Sequence, residues 1–170
     1  DVRARVYADG KLVPEKEGMI EVRNRFVTMV SGSRKVAAVL GADEHAYHRL
    51  LVTKDVPVGI VEKDDKDNNG KIERTKKETC STLPGLKFST WFLVSGGGGA
   101  PFYAEEDTPW NSYWTRKADP AERRRGFYYS SQENLLMIEA SAGKISARVY
   151  NLHGELIDKV DDLMGSAGRR

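Results

Sequence analysis

Residues 35–52 read KVAAVLGADEHAYHRLLV, and this stretch decides how the chain is expected to fold. The run KVAAVL over 35–40, apolar after Lys35, is typical of a strand covered on both faces, in a sheet flanked by helices. The polar stretch GADEHAYHR follows at 41–49. Loops at the carboxyl ends of such strands are where ligands usually bind in α/β proteins. The sequence therefore predicts a buried strand that presents a polar loop containing histidine.

The segments around this stretch predict its neighbours in the fold. MIEVRNRFVTMV at 19–30 has apolar residues at helical spacing, so it predicts a helix with one buried face that Gly32 and Ser33 end. YHRLLVTKDVPVGIVEK at 47–63 predicts two strands around a turn. FSTWFLVSGG at 88–97 predicts a second strongly apolar strand. Helix, tight turn and buried strand together form an α/β unit.

The carboxyl-terminal third predicts an antiparallel meander. NLLMIEAS, KISARVYNL and ELIDKVDDL are joined by Ala142-Gly143 and His153-Gly154, which are both good hairpin turns. The predicted fold class is thus α/β to α+β, with helix-covered buried strands followed by an antiparallel β-rich C-terminal meander. We expect 63–87 to be a long loop and 104–126 to be irregular. Residues 1–170 are expected to form a single domain that ends in a flexible tail at 163–170.

The composition limits the class of protein. The chain has 170 residues, of which 39% are hydrophobic, and a net charge of +2, so it has no global basic field and nucleic acid is not an expected partner. No apolar run approaches the length that a bilayer requires, so no membrane partner is expected. The single cysteine, Cys80, excludes an internal disulfide and leaves the compartment open. Because the chain begins at Asp1 rather than Met, we expect that a preceding segment has been removed.

The polar loop contains a candidate pair of metal ligands. Asp43 and His45 are two residues apart, so in an extended segment their side chains point the same way. Carboxylate and imidazole groups are usual ligands for Zn, Mn and Fe. The alternative is a polar strand end without a ligand. His48 alternates with Tyr47 and should face the opposite way, in a structural or surface role.

The same stretch resembles the last metal-binding motif of the calcineurin-like metallophosphoesterases. That motif reads Gly-His-x-His, is often followed by x-Tyr-x-Arg, and comes directly after a buried strand. Ala42 stands for the glycine, Asp43 for the first histidine and His45 for the second. Tyr47 and Arg49 match the trailing positions. The resemblance implies that His45 is a metal ligand. Asp43 is either a second ligand, since a carboxylate can replace an imidazole, or a position that no longer ligates. Tyr47 and Arg49 would orient the loop or touch substrate.

The resemblance extends over about residues 20–162. STWFLVSGGGGAPFYAEEDTPW at 89–110 is similar to the strand and glycine-rich loop that follow in many members. GKISARVYNLHGELIDKVDDL at 143–163 is similar to their final hairpin. The resemblance implies a metallophosphoesterase-like sandwich and hydrolysis of phosphate esters at a divalent metal centre of Mn, Fe or Zn.

The chain departs from this family in its first half. The family builds its two-metal centre from Asp-x-His, Gly-Asp-x-x-Asp and Gly-Asn-His-Asp/Glu motifs, none of which is here, and residues 1–44 contain no histidine. The chain therefore resembles the carboxyl-terminal half of such an enzyme, and we expect it to be inactive in isolation. A half domain should expose an apolar sheet edge, so the expected partner is the missing N-terminal half or a second copy in self-association.

DKDNNGKIE at 65–73 is a candidate calcium loop. It matches the start of the pattern Asp-x-Asp-x-Asn-Gly, but the twelfth position is Lys76, so it is not an EF-hand. The alternative is a hydrophilic hairpin tip. A second function follows from this loop, that of a non-catalytic β-rich binding module that holds calcium. The candidate ligands are Asp65, Asp67, Asn69, the Lys71 backbone carbonyl and Glu73.

Four consecutive glycines, Gly96, Gly97, Gly98 and Gly99, follow the second apolar strand. Backbone N–H groups of such a loop can cradle phosphate, but no P-loop lysine follows. The favoured interpretation is a tight crossover that needs positive φ and close backbone packing. In the resembling family this loop lies beside the active centre, so we expect it to pack near the site.

Overall fold

The structure, a computed structural model, describes residues 7–8, 11–12, 19–54, 57–58, 81–82, 86–99, 101–102 and 120–167. Its helices and strands in these ranges are β1 Tyr7–Ala8, β2 Lys11–Leu12, α1 Met19–Gly32, β3 Ala38–Gly41, β4 Tyr47–Val52, β5 Pro57–Val58, β6 Ser81–Thr82, β7 Thr90–Ser95, α2 Pro120–Gly126, β8 Phe127–Ser130, β9 Leu135–Ser141, β10 Lys144–Tyr150, β11 Leu156–Val160 and α3 Leu163–Ser166. No helix among the described residues is long and apolar enough to span a membrane.

The polar loop belongs to a four-stranded sheet with strand order β3-β7-β4-β8. β3 runs parallel to β7, with Ala38 opposite Trp91, and β4 runs antiparallel to both of its neighbours. β7 is apolar on both faces, as the run FSTWFLV predicted. The paired two-residue strands β1 and β2, and likewise β5 and β6, lie outside this sheet.

One face of this sheet is covered by α1, which forms where the helical spacing predicted it. Val27 of the helix is buried against Val52 of β4 and Phe127 of β8. The last turn is tied to β7 by a 2.9 Å hydrogen bond between the hydroxyl groups of Ser31 and Thr90, both fully buried. Satisfying these two hydroxyls with each other avoids the cost of burying them unpaired.

The predicted carboxyl-terminal meander is confirmed. β9, β10 and β11 form an antiparallel three-stranded sheet with order β11-β10-β9. Gly143 and Gly154 sit in its two turns with φ of +78° and +75°. A residue with a Cβ is disfavoured in this left-handed region, so these glycines set where the chain reverses.

The two sheets pack face to face. Trp91 and Leu93 of β7 are buried against Ala147 of β10 and Val160 of β11, and Leu163 of α3 completes this core. The molecule therefore has a helix, a four-stranded sheet and a three-stranded sheet stacked in that order. The predicted mixed α/β class with a β-rich carboxyl-terminal meander is confirmed at this level.

The expectation of a flexible tail at 163–170 is wrong for its first five residues. α3 continues the chain after β11, and the carboxylate of Asp162 caps it by accepting two backbone N–H bonds. Leu163 and Ala167 are buried in the core between the sheets. Apolar burial and a cap order this segment, although its composition resembles a loose end. Residues 168–170 lie outside the described residues.

Two other expectations need correction. The run at 35–40 is not fully covered, because β3 is at one end of the four-stranded order and Leu40 is 56% exposed. The stretch 104–126 is not irregular throughout, because α2 begins at Pro120, a residue favoured in the first helical turn. The aromatic strand β8 that follows was not predicted, although FYYS at 127–130 has strand-like composition.

Candidate functional site

Two loops meet at one edge of the four-stranded sheet. Because β3 and β7 are parallel, with Gly41 opposite Val94, their carboxyl ends lie side by side. The loop after β3 carries the candidate metal ligands, and the loop after β7 is the run of glycines. A 3.1 Å hydrogen bond from the backbone N–H of Gly96 to the carbonyl of Ala46 joins the two loops.

The glycine run packs closely against its neighbours, as the favoured interpretation predicted. A Cβ on Gly96 would overlap the carbonyl oxygen of Glu44 and would lie 2.8 Å from its carbon. A Cβ on Gly97 would overlap the amide of Asn134. Gly99 has φ of +98°. Glycine is therefore required at 96 and 97 for close backbone approach, and it suits 99 for its conformation.

His45 lies in the loop, where its ring contacts a backbone carbonyl. Its Nδ1 is 2.8 Å from the carbonyl oxygen of Pro101. A carbonyl can only accept, so Nδ1 carries the proton and donates it. In the neutral ring the lone pair is then on Nε2, which is the tautomer of a metal-binding histidine held by a backbone carbonyl.

Asp43 is exposed and has φ of +80°, the one positive value outside glycine among the described residues. This left-handed conformation is uncommon for residues with a side chain, although Asp tolerates it better than most. Gly96 packs against the backbone of Asp43 and Glu44, so the loop is closely packed where Asp43 adopts this conformation.

The described residues hold no group of three or more His, Cys, Asp or Glu side chains arranged for a metal ion. The extended backbone that would point Asp43 and His45 the same way is not present, because Asp43 is left-handed and residues 44–46 are bent. The pair therefore stays a prediction from the sequence, with donor atoms that suit Mn, Fe or Zn. A complete centre would need further donors.

Tyr47 and Arg49 share a buried partner that the sequence analysis did not single out. The carboxylate of Asp158, on β11, accepts bonds of 2.8 Å from the Tyr47 hydroxyl and 2.6 Å from Nε of Arg49. A third bond, of 3.2 Å, comes from Nη2 of Arg49. The guanidinium also donates to the carbonyls of Arg124 and Arg125, at 2.8 and 3.0 Å. We call Tyr47, Arg49 and Asp158 the intersheet clamp, because β4 and β11 belong to different sheets.

Tyr47 and Arg49, for which the resemblance implied loop orientation or substrate contact, both belong to the intersheet clamp. Tyr47 and Arg49 are buried, and the guanidinium also lies over the Trp91 ring, 5.3 Å from its centroid. Burial, and then the charge of Asp158, raise the pKa of Tyr47 well above its usual range, so its hydroxyl stays a donor. These contacts hold both side chains between the sheets, and the expected roles in orienting the loop or touching substrate stay predictions.

His48 faces away from Tyr47, as strand alternation predicted. Its ring packs edge-on against Tyr129, with centroids 4.7 Å apart, whereas Tyr47 packs near Tyr128. Burial lowers the pKa of His48, and the charge of Glu44 opposes this shift. The environment of His48 thus favours the neutral ring in a structural position.

A second group that sequence reasoning missed holds the glycine loop to the three-stranded sheet. The side-chain oxygen of Asn134 accepts a 2.7 Å bond from the Ser95 hydroxyl, and its backbone N–H donates to Gly97. Its amide nitrogen donates to the carbonyl of Gln132 at 2.9 Å. Asn134 lies just before β9, so only the folded chain brings it beside the glycines.

The remaining candidate site cannot be placed. The calcium loop at 65–73, with Asp65, Asp67, Asn69, Lys71 and Glu73, lies outside the described residues. Its calcium ligands therefore stay a prediction from the sequence.

Comparisons of the chain with protein-family models, with curated proteins and with solved structures found no match.

Proposed function

We propose that this chain supplies the last metal-ligand loop of a calcineurin-like, metal-dependent phosphoesterase that hydrolyses phosphate esters. In this proposal His45 and Asp43 are ligands of a divalent Mn, Fe or Zn ion. The observation that carries the proposal is the bond from Nδ1 of His45 to the Pro101 carbonyl. It selects the tautomer in which Nε2 can coordinate a metal, and it limits rotation of the ring.

The residues around the loop support this assignment through positioning. The packing of Gly96 on Glu44 brings the glycine run directly against the loop that carries the candidate ligands. The intersheet clamp anchors β4, which begins two residues after His45. When bound, a divalent metal would supply positive charge that stabilises the transferring phosphoryl group.

The layered fold is compatible with a metallophosphoesterase-like sandwich, which remains part of the proposal. Two sheets packed face to face, with a helix on one outer face, place the ligand loop at the carboxyl ends of β3 and β7. The remaining metal ligands would come from the missing N-terminal half. We therefore expect this chain alone to be inactive and the full native product to be active.

Metal binding by the full native product tests the ligand assignment without relying on turnover. Isothermal titration calorimetry with MnCl₂ and ZnCl₂ would compare the unaltered product with His45→Ala and with His153→Ala. His153 is an exposed histidine in the turn between β10 and β11, so it is a matched control. We expect His45→Ala to weaken binding by more than roughly tenfold, the low end of the cost of losing even an outer ligand contact. Equal affinities in the two variants would contradict the assignment.

Turnover tests the reaction itself. The full native product should hydrolyse p-nitrophenyl phosphate monoesters or diesters in the presence of Mn²⁺, and should lose that activity on His45→Ala. Absence of metal-dependent turnover in the full product would refute the phosphoesterase proposal. A calcium titration of this chain would test the other predicted function, since a large gain in melting temperature would support a calcium-binding module.

A further inference from the structure

β9 is an apolar strand whose second edge is unpaired among the described strands. Among the strands that the structure describes, it pairs with β10 alone, in an unbroken register from Leu135 to Ser141. Leu135 is 62% exposed, Met137 46% and Ile138 40%. Native proteins usually protect such an edge with proline, a bulge or a guarding charge. This strand, LLMIEAS, contains no proline and its pairing with β10 shows no bulge.

The one charge on β9 does not guard this edge. Glu139 pairs with Arg148, which lies on the neighbouring strand β10. The register places Glu139 opposite Ser146 and Met137 opposite Arg148, so this ion pair is a diagonal contact on the outer face. The carboxylate of Glu139 is thereby directed toward β10 and away from the edge of β9 that is unpaired among the described strands.

We propose that β9 pairs with β9 of a second copy of this chain, antiparallel and about a two-fold axis at Ile138. Ile138 is the midpoint of the seven-residue strand, so this register pairs all seven residues. It places Ile138 against Ile138 of the partner subunit, and Leu136 against Ala140 of the partner subunit. The two three-stranded sheets then join into one continuous sheet.

The self-complementarity of the strand argues for a second copy as the occupant. The register with β10 puts Leu136, Ile138 and Ala140 on the face that carries the buried Ala147 and Val149. In the proposed register these three apolar residues meet only each other across the two-fold axis. On the other face Met137 meets Glu139 of the partner subunit, so the two glutamates are diagonal and not directly opposed.

Sedimentation velocity of the chain over a wide range of concentrations tests the proposal. The expected result is a species of twice 19.0 kDa that dissociates on dilution. Ile138→Lys should abolish it, because two lysines would be directly opposed at the axis. Ile138→Asp should abolish it in the same way. An equimolar mixture of the two variants should restore the dimer, because unlike charges would then face each other.

Two further variants keep the outcome decisive. Leu152→Lys is the matched control, since Leu152 is 74% exposed but lies in the turn between β10 and β11, and it should leave the dimer unchanged. If the Ile138 variants fail to fold by circular dichroism, Met137→Glu replaces them, because it opposes Glu139 of the partner subunit and should weaken the dimer. A 19.0 kDa monomer at every concentration, an equal effect of Leu152→Lys, or a folded variant mixture that stays monomeric would each overturn the proposal.

Discussion

Replacement of Asp158 by Asn is the sharpest test of the intersheet clamp. The substitution preserves the shape of the side chain and removes its charge. Two bonds from Arg49 and one from Tyr47 end on this carboxylate, and the Arg49 and Asp158 side chains are only 6% and 8% exposed. Asn could accept at one oxygen only, and its NH₂ group would face a donor.

Asp158→Asn lowers the free energy of unfolding because it leaves the buried Arg49 guanidinium without its anion. Each hydrogen bond to a charged group contributes about 1.5–3 kcal/mol, and removing one partner of a buried pair costs about 3–5 kcal/mol. The carbonyls of Arg124 and Arg125 still accept from the guanidinium, so we expect about 3 kcal/mol for Asp158→Asn. Domains of this size lose roughly 2–4 °C per kcal/mol, so the melting temperature should fall by about 6–12 °C.

Urea denaturation followed by circular dichroism and tryptophan fluorescence would measure this loss. Glu139→Gln is the control, because it removes the same kind of charge from the exposed pair with Arg148. Exposed pairs contribute about 0–1 kcal/mol. The reasoning would be refuted if Asp158→Asn and Glu139→Gln reduced the free energy of unfolding equally. Burial would then add nothing to the stabilisation by the Arg49–Asp158 pair.

Two more predictions concern the neighbourhood of the candidate metal loop. Gly96→Ala should destabilise the chain by about 1–3 kcal/mol in urea denaturation, because its Cβ would overlap the Glu44 carbonyl, whereas Gly98→Ala, with open space around it, should cost much less. His48→Gln should flatten the dependence of stability on pH. Burial lowers the folded-state pKa of His48, so the unfolded chain binds more protons and the wild type should lose stability as pH falls below about 6.5. An unchanged pH profile of the melting temperature in the variant would contradict this second prediction.

Short-range sequence patterns predicted the helix and strands that form from local backbone preferences. The spacing of apolar residues along one helix face predicted α1, and strand propensity with glycine turns predicted β9, β10 and β11. α3 was not predicted, because a short apolar segment among small residues becomes ordered only when it packs into a hydrophobic core. Leu163 packs between two sheets that are assembled from distant parts of the chain.

The candidate site was predicted in part. The position of the polar loop and the close packing of the glycines followed from the sequence. That the loop carries metal ligands stays a prediction. The bond between His45 and Pro101 joins residues 56 positions apart, so it depends on the parallel pairing of β3 with β7. Asn134 gave no sequence signal, because its partners come from a different strand and loop.

The sequence by itself determined the helix α1, the strands and glycine turns of the carboxyl-terminal meander, and which residue types stand in the polar loop. These properties depend on backbone preferences and on side-chain periods of 2 and 3.6 residues, which act over short distances. The tertiary structure alone decided the contacts of Tyr47 and Arg49. Both meet Asp158, more than a hundred positions away, and only the packing of one sheet on the other brings the three together. The register between distant strands sets such contacts, and a local pattern carries no information about it.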